Sequence, residues 1–252
     1  MTRVLITGSA DGLGQMVARE LIDLGHEVTL HARSESRAQD ALRGAPGAAG
    51  VLVGDLSSIA ETTSIAEQAN ASGRFDVVVH NAAIGYQERR RIETVDGLAH
   101  VFATNSLAPY LLTALIERPD RLIYLSSGMH LGGDPDLTDL QWQRRRWNGS
   151  QAYSDSKLHD AILAFAVARL WPDVRSNAVD PGWVATKMGG PGASRDMSRA
   201  PETQVWLATA DNPGSGEYYY HRKPHRTHPA VSDVRVQDGF LKACADLTGV
   251  SL

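Results

Sequence analysis

The sequence predicts a doubly wound α/β domain built on a mostly parallel sheet of seven strands. Three observations carry that expectation. Short apolar runs recur along the chain and alternate with segments of helical periodicity, the pattern of a parallel sheet covered on both faces. The first run, Val4-Leu5-Ile6, passes directly into Thr7-Gly8-Ser9-Ala10-Asp11-Gly12-Leu13-Gly14 and then into an amphipathic helix carrying Leu13, Met16, Val17, Leu21 and Leu24 on one face. No linker, repeat or compositional break divides the 252 residues, so one domain is expected over 1–252.

The remaining elements follow in order. Residues 27–31 read as the second strand, and the polar stretch 33–37 leads into a short helix. Residues 44–50 are rich in Ala, Gly and Pro and read as a loop into a third strand at 51–53. Ser57 or Ser58 can cap the next helix, whose apolar face holds Ile59, Ile65, Ala66 and Ala69. A fourth strand at 76–80 precedes a long helix expected over 95–117, stopped by Pro119, and a fifth strand at 121–125. A polar insertion, 128–150, separates this strand from a helix at about 153–170 and a sixth strand at 174–179. Residues 181–200, rich in Gly, Pro and Ser, read as mobile, with a lid over 183–200. A helix after Pro201, an edge strand at 217–220 and a helix near 238–247 complete the chain.

Composition limits the function classes. Hydrophobic content of 42% and charged content of 21% are those of a globular protein with a sizeable core. A net charge of −4 gives no electrostatic reason to expect nucleic acid. Cys244 is the sole cysteine, so no intrachain disulfide forms, and it reads as a buried bystander thiol. No leader precedes the first strand and no apolar run is long enough to span a bilayer; a cytoplasmic protein without membrane insertion is expected.

The chemistry is concentrated in three places. The glycine turn aims backbone N–H groups and the positive end of a helix dipole outward, which suits a phosphate. Glycine is required there where φ is positive or where a Cβ would hold a pyrophosphate away. An ordinary βα turn is the plain alternative. The end of the second strand, which meets the adenosine ribose in such folds, carries Ala32 and Arg33, with Arg37 one helical turn on. A guanidinium suits a 2′-phosphate, so NADP(H) is favoured over NAD(H). Asp55, closing the third strand, can meet an adenine amino group or simply cap a turn. Finally, Tyr153 and Lys157 stand four apart on a helix and share a face. A phenol near pKa ~10 is a poor acid-base at neutral pH, and a nearby ammonium lowers that value. Ser126 and Ser127 end the fifth strand at the sheet edge where α/β folds place ligands.

Taken together these residues resemble the short-chain dehydrogenase/reductase family, from residue 3 to about 190, with all motifs in family order. Thr7 to Gly14 matches its Thr-Gly-x-x-x-Gly-x-Gly turn, implying cofactor contacts from Thr7, Gly8, Ala10, Gly12, Leu13 and Gly14. Asp55 and Leu56 fall at its adenine-contacting position. Asn81, Ala82 and Ala83 lie on its Asn-Asn-Ala-Gly stretch, with His80 and Ala83 replacing the first Asn and the Gly. Asn105 matches the asparagine that holds a water in the proton relay, Ser127 the catalytic serine, and Tyr153 and Lys157 the Tyr-x-x-x-Lys pair. Asp180-Pro181-Gly182-Trp183-Val184-Ala185-Thr186 resembles the segment beside the nicotinamide, with Pro181, Gly182, Val184 and Thr186 as contacts. The retinol dehydrogenase and carbonyl reductase branch is the nearest in appearance, through Ala-Arg after the second strand, the long insertion and Tyr-x-x-Ser-Lys-Leu. The resemblance implies a Rossmann-type fold and hydride transfer between NADP(H) and a carbonyl or alcohol. Tyr153 would be the acid-base group, Lys157 its tuner and ribose ligand, Ser127 the carbonyl partner and Asn105 part of the relay.

Trp183, Met188 and Met197 suggest an apolar substrate. Family members pair through the helices at 95–117 and 153–170 or remain monomeric, so homodimer, homotetramer and monomer all stay open. His221, His225 and His228 are interrupted by Pro224 and joined by no thiol or carboxylate, so no metal is expected. Arg144 to Arg146 read as a solvated face, Tyr218 to Tyr220 as edge-strand packing, and Trp142 and Trp147 as either packing or pocket mouth. Two other function classes remain: an NADP(H)-sensing regulator without turnover, which the intact Ser127, Tyr153 and Lys157 argue against, and a nucleotide-sugar epimerase or dehydratase, which the glycine spacing argues against.

Overall fold

The computed structural model describes residues 1–184, 188–189, 192–193 and 199–252. Strands β1 (Arg3–Ile6), β2 (Glu27–Ala32), β3 (Gly50–Val53), β4 (Val77–His80), β5 (Arg121–Leu125), β6 (Arg175–Asp180), β7 (Tyr218–Tyr220) and β8 (Lys223–Pro224) form one sheet in the order β3-β2-β1-β4-β5-β6-β7-β8. Every pairing is parallel except β7 with β8. The doubly wound α/β architecture is therefore as expected, with eight strands in place of seven. The extra strand is short, contains a proline and has no apolar run to read. It folds back through His221 and Arg222, both at left-handed φ (48° and 60°), as a type I′ turn requires but without the Asn or Gly that signals one. Tyr218–Tyr220 is consequently not an edge.

Alternation along the strands divides the core into two halves. Val4, Ile6, Val28, Leu30, Val77, Val79, Ile123 and Val179 face α1 (Gly12–Asp23), α2 (Glu35–Gly44) and α7 (Glu202–Thr209). Leu5, Val78, Leu122, Tyr124 and Ala178 face α3 (Ile59–Ala71), α4 (His100–Phe102), α5 (Ala108–Leu115), α6 (Gly149–Leu170) and α8 (Val234–Thr248). Ser34 and Ser58 cap α2 and α3 by accepting the N–H groups of Arg37 and Glu61 (3.4 Å each). Helix α6 is buried on several sides, because α8 covers it with Phe240 and Cys244. Cys244 is fully buried, and that burial pushes its thiol pKa up.

Two regions differ from the expectation. The helix over 95–117 begins only at His100 and ends at Leu115, with a π-helical turn at Ala103–Leu107 between α4 and α5. Gly97 takes φ 75° in a turn closed by Thr94 and Leu98, so the apolar Leu98 and Ala99 are buried from a loop. In the insertion, Arg145 is not part of a solvated face. Its guanidinium lies 3.9 Å from the Trp142 ring centre and pairs with Asp134 (3.1 Å) and Asp155 (3.0 Å). Trp142 packs edge-on against Trp147 and is buried, and neither ring lines the main cleft. The carboxylates that gather around Arg145 come from distant positions, which a local charge run does not reveal.

Two buried histidines tie stability to pH. His80 stacks on Tyr124, and His159 stacks on Phe240 and bonds Ser106 Oγ (3.1 Å). Burial pushes each imidazole down from 6.5 to about 3, with Arg145 adding to the effect at His159. Between those values the unfolded chain binds the extra proton, so each histidine removes up to ~1.4 kcal/mol of stability per pH unit as pH falls. Asp160 opposes this between about 6 and ~3.9, because burial raises its folded pKa to about 6 and the folded state takes the proton first. Replacing His159 by Gln should therefore flatten the acid side of the stability curve by up to ~1.4 kcal/mol per unit between about pH 6 and 4. Urea denaturation of both proteins at several pH values measures this, and parallel curves would contradict it.

Candidate active site

The parallel strands end at one edge, and the chain reverses its winding between β1 and β4, which is where such sheets open a crevice. A cleft of ≈ 1390 Å³ lies along this edge. It is lined by Gly8, Ala10, Gly12, Leu13, Gly14, Arg33, Asp55, Leu56, Asn81, Ala82, Ala83, Ser127, Tyr153, Lys157, Pro181, Gly182 and Val184. Thr7 and Asn105 lie beneath its surface, and Thr186 and Met197 fall outside the described residues.

The crevice is held open by hydrogen bonds between β1 and β4. Thr7 Oγ1 accepts the N–H groups of Asn81 and Ala82 (3.0 Å each), and Asn81 Nδ2 donates to the carbonyls of Thr7 (2.8 Å) and Gly8 (3.1 Å). Gly8 sits at φ 62°, and a Cβ there would come within 2.7 Å of Ala82 Cα. Gly12 also has positive φ (58°). At the start of α1 the N-cap side chain of Asp11 makes no capping bond and reaches instead to Arg37 (2.7 Å). The first-turn N–H groups of Gly12, Leu13 and Gly14 have no acceptor within the helix, and these residues line the cleft, an arrangement that fits a pyrophosphate.

His31 is a positioning residue that the sequence pattern did not single out. The Gly8 N–H donates to its Nδ1 (2.9 Å), and Nε2 meets the Gly54 carbonyl (2.9 Å). Nε2 must therefore carry the proton, and burial holds the imidazole neutral by lowering its pKa. The signal was a polar residue in an apolar strand, one position before the ribose end. At that end Arg33 is exposed and forms no ion pair among the described residues, whereas Arg37 is held by Asp11 and Asp40 (2.8 Å). Asp55 does cap: its Oδ1 accepts the Ser57 N–H (2.9 Å) while the residue also lines the cleft.

At the opposite end, Tyr153 is 7% exposed and Lys157 2%. Lys157 Nζ stands 5.6 Å from the Tyr153 ring centre and donates to the Leu125 carbonyl (2.7 Å) and Asp160 Oδ2 (2.8 Å). Burial raises the Tyr153 pKa, and Lys157 and Ser127 pull it back without reversing the shift. The expected lowering is thus one contribution and not the outcome, because desolvation of the phenolate is larger. Burial disfavours the Lys157 ammonium, but Asp160 and Tyr153 more than compensate and its pKa rises. Ser127 heads a 3₁₀ turn, accepting the Met129 N–H (3.3 Å), while Ser126 is spent on the Lys157 carbonyl (2.7 Å). Asn105 bonds both Ile84 N–H (2.8 Å) and Ile84 carbonyl (3.0 Å), and donates to Ser156 Oγ (3.0 Å). Both of its N–H groups are used, so its side chain ties the 82–86 loop to α6 from below. Met129, Trp183 and Tyr220 leave apolar surface exposed along the cleft. His225 reaches the same cleft, and among the described residues no group of His, Cys, Asp and Glu has a metal-holding arrangement.

A parallel sheet with an anion-ready glycine turn at one end of its crevice and a Tyr–Lys pair at the other defines a dinucleotide-binding oxidoreductase. The chain belongs to the short-chain dehydrogenase family: the family's model matches residues 2–120. It is 43% identical to the short-chain dehydrogenase chyC of Penicillium rubens, over 100% of this chain and 99% of that one. It is 28% identical to human retinol dehydrogenase 13, over 98% of this chain and 84% of that one. Among solved structures, an uncharacterised protein from Mycobacterium paratuberculosis superimposes with a TM-score of 0.86 at 25% identity, covering 100% of this chain and 94% of that one. Members of the family bind a nicotinamide cofactor and act on small molecules. No helix among the described residues is long and apolar enough to cross a membrane.

His31 links this site to folding. Replacing it by Leu leaves the Gly8 N–H and the Gly54 carbonyl without partners. Each buried unpaired group costs ~1–3 kcal/mol, so the variant should lose about 2–4 kcal/mol of unfolding free energy. It should also bind nicotinamide dinucleotide roughly ten-fold more weakly, about 1.4 kcal/mol. Denaturation and fluorescence titration check the two effects, and wild-type values in both would remove the role.

Proposed function

We propose that this protein is an NADP(H)-dependent carbonyl reductase or alcohol dehydrogenase acting on an apolar substrate. One observation carries the reading: a buried Lys157 ammonium 5.6 Å from the Tyr153 ring, in the same cleft as the glycine turn. When bound, the reduced nicotinamide supplies a hydride to a carbonyl carbon. The glycine turn would hold the pyrophosphate, and Asp55 and Leu56 would flank the adenine. Pro181, Gly182 and Val184 would border the nicotinamide, a segment fixed by the Gly182 N–H bond to Asp180 Oδ1 (2.8 Å).

Ser127 and Tyr153 would both donate hydrogen bonds to the substrate oxygen, drawing electron density from the carbonyl carbon. Tyr153 then gives its phenolic proton as the C–O double bond becomes a single bond. In oxidation Tyr153 takes the alcohol proton, the carbon gives up a hydride, and the double bond reforms. Lys157 stabilises the phenolate by its charge; two of its three N–H groups are spent on Leu125 and Asp160, leaving one for the ribose. Asn105 supports the site by holding the loop beneath it. The apolar surfaces of Met129, Trp183 and Tyr220 favour a hydrophobic substrate over a small polar one.

Arg33 supports the preference for NADP(H), since a 2′-phosphate would meet an exposed guanidinium that forms no ion pair among the described residues. Two outcomes are expected. Tyr153→Phe should lower kcat for carbonyl reduction by at least ~10²-fold, the range of general acid catalysis, with NADPH affinity nearly unchanged; undiminished turnover would end the mechanism. Wild-type kcat/KM should be higher with NADPH than with NADH, and Arg33→Ser should narrow the ratio by roughly ten-fold, the ~1.4 kcal/mol scale of a charge-assisted contact. Steady-state kinetics with both cofactors measures this, and equal use of NADH by the wild type refutes it.

A further inference from the structure

Asp160 lies one helical turn beyond Lys157 on α6, in a run that is otherwise apolar on the sheet side (Leu158, Ala161, Ile162). Its carboxylate is 4% exposed and accepts from Lys157 Nζ at 2.8 Å. Lys157 is thus pinned from two directions, by the Leu125 carbonyl at the end of β5 and by Asp160 on its own helix. Burying a lone ammonium is costly, and a carboxylate partner is the usual remedy. A partner placed only to satisfy the lysine is a structural device. Here the same lysine is the group whose field acts on Tyr153, so the partner's charge reaches the phenol as well.

We propose that Asp160 is a positioning residue for catalysis: it anchors the Lys157 ammonium and, by its negative charge, opposes the stabilisation that Lys157 gives to the Tyr153 phenolate. The inference rests on the reading of Tyr153 as the acid-base group. An unopposed ammonium beside Tyr153 would favour the phenolate, which cannot donate the proton that carbonyl reduction needs. With Asp160 ionised, the Lys157–Asp160 pair is neutral overall and the phenol keeps its proton at higher pH. The site is thereby biased toward the acid form of Tyr153 and toward reduction.

The other charged and titratable groups around the pair leave this role open. Tyr153 and Lys157 stand on α6; Tyr124 approaches from β5, backed by His80 of β4. Asp180 at the end of β6 acts on Tyr153, and Tyr153 and Asp180 act on Tyr218 of β7. Tyr86 meets the Tyr153 ring edge-on at 5.7 Å. Among the described residues Lys157 is the cation acting on Asp160, and Asp160 acts on Lys157, Tyr153 and Tyr124.

The test is Asp160→Asn, which keeps an acceptor for Lys157 Nζ and removes the charge, with Asp160→Ser as a second variant should the first fail to fold by circular dichroism. Two readouts are compared with wild type. The first is the rising acid limb of kcat/KM for alcohol oxidation, which reports Tyr153 ionisation. The second needs neither turnover nor nucleotide: the pH midpoint of the tyrosinate ultraviolet band, taken as the difference between each protein and its Tyr153→Phe counterpart. Both should move to lower pH by about one unit. A loss of activity with both midpoints unmoved, or a move to higher pH, overturns the proposal and leaves Asp160 as a packing partner. If Tyr153→Phe itself retains full turnover, the acid-base reading fails, and the tyrosinate midpoint alone still decides whether Asp160 sets the ionisation of Tyr153.

Discussion

The junction of β1 and β4 is the constraint on which the rest of the site depends. A parallel sheet that reverses its winding must part at its carboxyl edge, and here the two strands that part are tied again below the gap by Thr7 and Asn81. These bonds satisfy backbone groups that the diverging strands can no longer offer one another. They also fix the height of Gly8, whose lack of a Cβ lets it lie against Ala82. His31 braces the same glycine from β2 and links it to the end of β3. The glycine-turn end of the cleft is therefore a continuation of the sheet's hydrogen-bond network, and its rigidity comes from strands and not from the loop.

The far end of the cleft is built differently. Tyr153 and Lys157 project from a helix buried between the sheet and α8, and their properties are set by desolvation as much as by each other. Burial raises the phenol and works against the ammonium; the ion pair with Asp160 restores the latter. A pair that is adjacent in a helical turn thus acquires its character from how deeply the helix sits. Without α8 the outer face of α6 would meet water, and the packing that holds its inner face would weaken.

Much of the fold was legible because burial on both faces writes strands as plain apolar runs. The strands at 121–125 and 27–31 stood out in that way, and the glycine turn marked the first helix start. What escaped had no local signature. The two-residue β8 depends on a left-handed turn at His221 and Arg222, and Gly97 breaks a helical pattern that its apolar neighbours would otherwise continue. In the cleft, residues separated by up to some 180 positions were read from motif and lie together on its wall. His31 and Asp160 were passed over because a polar residue inside an apolar run carries no message until its partner is known. For His31 the partner is a backbone N–H twenty-three residues away; for Asp160 it is a lysine one turn back.

The same dependence on partners distinguishes the two arginines that follow β2. Both reach the cleft, Arg33 directly at the strand end and Arg37 one helical turn on. Arg37 lies between Asp11 and Asp40, and its charge is largely matched before any ligand arrives. Its bond to Asp11 engages that side chain, which makes no capping bond at the start of α1. Arg33 forms no ion pair among the described residues and is exposed. A 2′-phosphate there would gain a full, hydrated cation at little desolvation cost. One arginine is thus paired within the protein while the other is left exposed at the end of β2, a difference that only the positions of Asp11 and Asp40 reveal.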